Sequence, residues 1–139
     1  MNSFVLFFSG FGYTYTRRSW GESFYKIYPP TNYGAAKDQC ESDGTYLAIP
    51  RSEAENDFIA SLLPNKNIWI GINDLAKEGS FVRVDGRPIS WTKWDSGEPN
   101  DNQGEDAVEL RQEYGQTTRK AWNDQRDKVK NWFVCLLHI

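Results

Sequence analysis

No run in this 139-residue chain approaches the ~20 consecutive apolar residues that a bilayer span requires. Membrane insertion is therefore not expected. Internal repeats, heptads and collagen triplets are missing as well, so the sequence carries no solenoid and no stalk to fix an oligomeric state. Basic excess is absent: 16 Lys and Arg stand against 19 Asp and Glu, a net charge of −3. Neutralising phosphates needs a dense basic surface, which argues against nucleic acid as a general partner. The densest basic region, Lys120, Arg126, Lys128 and Lys130, reads as a solvated face. The single histidine, His138, lies near the end of the chain with no Ser or Cys nucleophile in a recognisable setting, so it reads as a bystander. Cysteines number two, Cys40 and Cys135, and spacing alone leaves paired and free thiols both open.

Aromatic residues are plentiful at 15%, while mean hydropathy is low at −0.69. A core built of Trp, Tyr and Phe follows, and the length fits one domain able to bury roughly two-thirds of its unfolded surface. The run Phe4 to Phe8 is shorter than a signal-peptide core and lacks a basic flank. It reads as one arm of an edge hairpin turning at Ser9-Gly10-Phe11-Gly12. A strand is expected over Trp20 to Tyr28, stopped by Pro29-Pro30, and then a helix capped by Thr31 with Tyr33, Ala36 and Cys40 facing inward and Gly44 as the stop. After a short strand at Leu47 to Ile49, Ser52 and Glu55 form a capping box ahead of Phe58, Ile59, Leu62 and Leu63, with Pro64 as terminator. Further strands are expected at Ile68 to Ile72, Phe81 to Val84 turning at Asp85-Gly86, Ile89 to Trp91, Ala107 to Leu110, about Lys120 to Trp122, and Trp132 to Leu137.

Among these later strands lies the stretch that carries chemistry. From Lys93 to Gly104 there is little periodicity, and loops this long in compact domains are commonly functional. Glu98, Asn100, Glu105, Asn123 and Asp124 gather oxygen donors around Pro99, with no His or Cys among them. Such a set suits Ca²⁺, which takes about 6–8 oxygens in a flexible shell, and disfavours metals that prefer nitrogen or sulfur.

Trp69-Ile70-Gly71, Asp74 with Glu78-Gly79 and Phe81, Trp91 to Trp94, Glu98-Pro99-Asn100, Glu105-Asp106, Trp122-Asn123-Asp124 and Phe133-Val134-Cys135, taken in order, resemble the C-type lectin domain. The similarity covers roughly residues 20–139, leaving 1–19 as an N-terminal extension. The resemblance implies an α+β fold with two helices, small antiparallel sheets and a long-loop region that binds calcium. It implies a principal Ca²⁺ and sugar site at Glu98, Asn100, Glu105, Asn123 and Asp124. An auxiliary Ca²⁺ site is implied at Asp74, Glu78, Asp101 and Asp106. It also implies a Cys40 to Cys135 disulfide and an extracellular or secreted protein, with microbial glycans among its targets. A cis bond at Pro99 would put the Glu98 and Asn100 side chains on one side of the loop. Glu at 98 with Asn at 100 resembles the mannose-type order, which implies vicinal 3,4-diols of mannose, N-acetylglucosamine, glucose or fucose. Affinity for one sugar would be weak, so avidity would come from a homo-oligomer or a multivalent surface.

Two departures stand out. Ala107 and Asp127 occupy positions where the family usually has a second cysteine pair, and Leu136 follows Cys135 where an acid is common. Trp69, Trp91 and Trp122 are expected to pack inside the domain rather than stack on sugar. The rival readings are a calcium-independent protein-binding or ice-binding member of the fold, and a glycosidase using Glu98 and Glu105. The second needs a carboxyl kept neutral, which a neighbouring Ca²⁺ opposes.

Overall fold

The computed structural model describes residues 2–8, 11–18, 21–112 and 120–138, with side chains from 23 to 112 and from 120 to 137. Among the described residues, nine strands and two helices follow in the order β1 (Asn2–Phe8), β2 (Phe11–Arg18), β3 (Gly21–Thr31), α1 (Tyr33–Ser42), β4 (Tyr46–Leu47), α2 (Glu53–Leu62), β5 (Ile68–Asn73), β6 (Val82–Arg83), β7 (Ala107–Leu110), β8 (Trp122–Gln125) and β9 (Asn131–His138). One sheet runs β1-β2-β3-β9-β5-β7-β8, with β4 added to β9 and β6 to β5. The α+β reading holds, and the sheet is mixed: β5 pairs β9 in parallel while the other pairings are antiparallel. No helix among the described residues is long and apolar enough to cross a membrane.

Several boundaries differ from those the sequence suggests. β3 continues through Pro29-Pro30 to Thr31, and its register against β9 shifts between Tyr28 and Thr31. An irregularity of this kind accommodates residues that cannot donate to a ladder. The cap of α1 is Asn32, not Thr31: its Oδ1 accepts from Ala35 N at 2.9 Å. Ser52 caps α2 as expected, accepting from Glu55 N at 3.1 Å. Glu55 closes the box one residue further out, taking Arg51 N at 2.9 Å and the Arg51 guanidinium through both oxygens. Ile89 to Trp91 forms no strand, and β8 starts at Trp122 rather than at Lys120, whose φ of 54° is incompatible with extended backbone. Of the expected turn at Ser9-Gly10-Phe11-Gly12, Ser9 and Gly10 lie outside the described residues, whereas Phe11 and Gly12 belong to β2 and pair with Phe8 and Phe7.

The core is aromatic and aliphatic together. Trp122 is fully buried, and the rings of Trp91 and Trp94 meet it edge-on at 5.7 and 5.9 Å. Its Nε1 donates to Asn56 Oδ1 at 2.9 Å, and Asn56 Nδ2 in turn donates to the Lys120 carbonyl, so a buried polar pair ties α2 to the chain entering β8. Trp69 is equally buried and donates to the Thr31 carbonyl at 2.9 Å. These two are core residues, as expected; Trp91 is half-buried against Trp122. Beside them, Cys40 of α1 and Cys135 of β9 form a disulfide across 95 residues of sequence. Gly71 has no room for a side chain, since an added Cβ would lie 2.6 Å from the Leu47 carbonyl oxygen.

This frame fixes both ends of the long loop. Trp122 N donates to the Lys93 carbonyl at 2.6 Å and Asp95 N to the Trp122 carbonyl at 2.8 Å, anchoring its start on β8. Asp74 N donates to the Asp106 carbonyl at 3.0 Å, anchoring its end beside β5.

Candidate functional site

Along β8 a buried tryptophan is followed by polar residues that are also buried: Asn123 is 2% exposed and Asp124 0%. Asp124 is the hub. Its Oδ1 accepts from Asn100 N at 3.0 Å and its Oδ2 from Asp101 N at 2.7 Å, which folds the loop back onto the strand. Glu98, Glu105 and Asp124 then bring carboxylate oxygens within 4.8 Å of one another. The Glu98–Pro99 bond is cis, and Asn100 Nδ2 donates to Glu98 Oε2 at 3.2 Å. Glu105 Oε1 accepts from Asn102 N at 3.1 Å, as does Asn100 Oδ1.

A second group forms where β5 leaves the sheet. Asp74, Glu78 and Asp106 also bring carboxylate oxygens within 4.8 Å. Gly79 N donates to Asp74 Oδ2 at 2.8 Å and to Glu78 Oε2 at 3.1 Å. Asp101 is not one of these three converging groups, but its charge raises the carboxyls of Glu78 and Asp106. Asp101 thus binds Asp124 through its backbone and faces the second cluster with its charge.

The two groups share an electrostatic signature. Burial and the neighbouring Asp124 carboxylate push Glu98 up to about 7. Burial, then Asp124, raises Glu105. In the second group Glu78 rises to about 7 through Asp74, with which it would have to share a proton, and Asp106 rises through burial, Asp74 and Asp101. Carboxylates packed so closely repel unless a proton or a cation lies between them. Among the described residues, two buried side-chain atoms lack a hydrogen-bond partner: Glu98 Oε1 in one group and Asp74 Oδ1 in the other. Asp124 is close enough to Glu98 to share a proton with it, but both are acceptors once ionised. One orphaned oxygen in each cluster, with oxygen-only neighbours, fits a hard divalent cation at both places.

Sequence reasoning missed Glu109. It is 1% exposed on β7, directly opposite Asn123, and accepts from Asn123 Nδ2 at 2.8 Å and Asn131 Nδ2 at 2.9 Å. Burial raises its carboxyl and the amides around it oppose that rise. The alternation Ala-Val-Glu-Leu marks Glu109 as outward-facing, yet all four residues of β7 are buried.

Fold and site together comprise an aromatic core, a disulfide-tied sheet and an irregular loop that draws acids together. The sequence model of the lectin C-type domain matches residues 30–136, and the chain belongs to the C-type lectin domain family. Collectin-10 of Xenopus tropicalis is 36% identical over 117 residues, 81% of this chain and 40% of the relative. Mannose-binding protein of Gallus gallus is 35% identical over 99 residues, 70% of this chain and 37% of the relative. The chain therefore spans about two-fifths of the length of these curated relatives. The cow C-type carbohydrate-recognition domain of CD23, solved in the presence of a GlcNAc2Man3 oligosaccharide, superposes with a TM-score of 0.78 at 25% identity, covering 97% of this chain and 98% of that one. The family is known for non-enzymatic, carbohydrate-binding domains.

Proposed function

We propose that this domain is a calcium-dependent lectin, extracellular or secreted, that captures vicinal 3,4-diols of mannose-type sugars. The observation that carries the reading is the convergence of Glu98, Glu105 and Asp124 with Glu98 Oε1 left unpartnered. Glu98, Asn100, Glu105, Asn123 and Asp124 would hold Ca²⁺, which would supply a Lewis-acidic contact to two sugar hydroxyls. Around such an ion the carboxylates of Glu98 and Glu105 accept the hydroxyl protons, and the amides of Asn100 and Asn123 donate to the hydroxyl oxygens. Asp124 contributes charge and, through Asn100 N and Asp101 N, the shape of the loop. Asp74, Glu78, Asp106 and Asp101 would hold a second, structural Ca²⁺ that relieves their mutual repulsion.

Support for the sugar class comes from the Glu98-Pro99-Asn100 order and from relatives that include a mannose-binding protein. A glycan array with calcium, with chelator and with the paired Glu98→Gln and Asn100→Asp substitutions tests it. Because galactose-type members of the family carry Gln and Asp at these two positions, the expected result is binding of mannose-type glycans that chelator abolishes and that the pair redirects toward galactose. Galactose preference in the unsubstituted protein refutes the sugar assignment, and chelator-insensitive binding refutes the cation.

A further inference from the structure

Among the described residues the cation scheme leaves two fully buried carboxylates unused: Glu55, which pairs with Arg51, and Glu109. Glu109 sits on β7 between β5 and β8; Asn123 of β8 and Asn131 of β9 reach its two oxygens at 2.8 and 2.9 Å, and Gln125 Nε2 adds a longer contact at 3.5 Å. Among the described residues Glu109 forms no salt bridge, and the charge of Arg111 offsets it only from further away. A buried charge so weakly compensated is costly, and a glutamine of nearly the same shape would satisfy the cavity. A carboxylate does one thing that a glutamine cannot. Once ionised it only accepts, so every neighbour must present an N–H to it.

For Asn123 this settles an ambiguity. The side-chain amide is nearly symmetrical in shape, and a half-turn exchanges its oxygen for its NH₂ group. With Nδ2 committed to Glu109 at 2.8 Å, Oδ1 is turned away from Glu109. Oxygen is the atom a hard cation takes, whereas an NH₂ group in its place repels one. Asn131 holds Glu109 from the opposite side, so the acceptor is itself fixed.

We propose that Glu109 is a positioning residue: its acceptor-only carboxylate locks the Asn123 amide so that Oδ1 is offered to calcium. The inference rests on the calcium reading above. Groups that orient a metal ligand in this way typically change metal affinity about 10–100-fold when removed. Calorimetric titration of calcium into the chelator-stripped chain, with Glu109→Gln, Asn123→Asp and the two combined, tests it. Glu109→Gln alone is expected to weaken calcium about 10–100-fold while the metal-free melting temperature holds or rises. The Asn123→Asp side chain has two equivalent oxygens and no orientation to lock. In that background Glu109→Gln should cost nothing, because the introduced amide can donate to the introduced carboxylate. A separate variant, Asn131→Ser, releases Glu109 from β9 and should weaken calcium several-fold. Unchanged affinity in Glu109→Gln, or the same loss in both backgrounds, overturns the lock and leaves the calcium reading intact. An unsubstituted chain that takes up no calcium removes that reading and this inference together.

Discussion

Protons and calcium should compete at the Glu98 cluster, and the competition has a calculable slope. Burial and Asp124 hold the Glu98 carboxyl at about 7 in the metal-free domain, against an ordinary value of 4.5. Between about pH 7.4 and 5.4 a group titrating at about 7 loses ionised form about thirtyfold, whereas one at its ordinary value loses about a tenth. Because calcium needs the carboxylate, its affinity should fall at least about thirtyfold across that interval. Glu105, also raised, adds in the same direction. Stability of the metal-free domain should run the other way. A group whose folded pKa lies above its unfolded value gives stability that is complete below about 4.5 and lost as pH rises through about 7. Metal-free melting temperature should thus fall between those limits while the calcium-loaded value climbs. Calorimetric titration and thermal melts at several pH values read both. An affinity that changes less than about threefold across the range, or metal-free and loaded melts that slope the same way, refutes the crowded-carboxylate reasoning.

Two further outcomes concern the frame. Replacing Cys40 and Cys135 with Ser opens a 95-residue loop, and the chain-entropy model gives a loss of about 4–5 kcal/mol, to be read by denaturant unfolding. Gly71→Ala places a methyl group 2.6–2.8 Å from the Leu47 carbonyl, Ile49 and Val84, and should cost about 1–3 kcal/mol in the same assay; unchanged stability would show that this packing yields easily.

Much of this molecule was legible in its residues, and the reasons differ from place to place. α2 was readable because Ser52, Glu55 and the apolar spacing of Ile59 and Leu63 agree with one another. β7 and β9 were readable as strands because short β-favouring runs survive in a sheet covered on both faces. The cap of α1 was misplaced by one because Thr31 and Asn32 are both competent, and only the β3 to β9 pairing keeps Thr31 in the strand. Ile89 to Trp91 has strand composition, but its Trp packs edge-on to Trp122 and the backbone finds no ladder partner there. The carboxylates of the loop could be gathered from order and resemblance. Their convergence with Asp124 needed the hydrogen bonds to Asn100 and Asp101. Glu109 was illegible because a charged residue inside a strand reads as solvent-facing until the neighbouring strands are in place.

β9, the last of the described strands in chain order, lies in the interior of the sheet and joins β3, β4 and β5. A ribosome delivers that segment after all its neighbours. The nascent domain must therefore wait, with β3 and β5 held apart, until β9 emerges to join them. Long-range pairing of this kind slows folding and leaves apolar surface exposed meanwhile. Biogenesis of this chain should depend on protection during synthesis more than its modest size suggests.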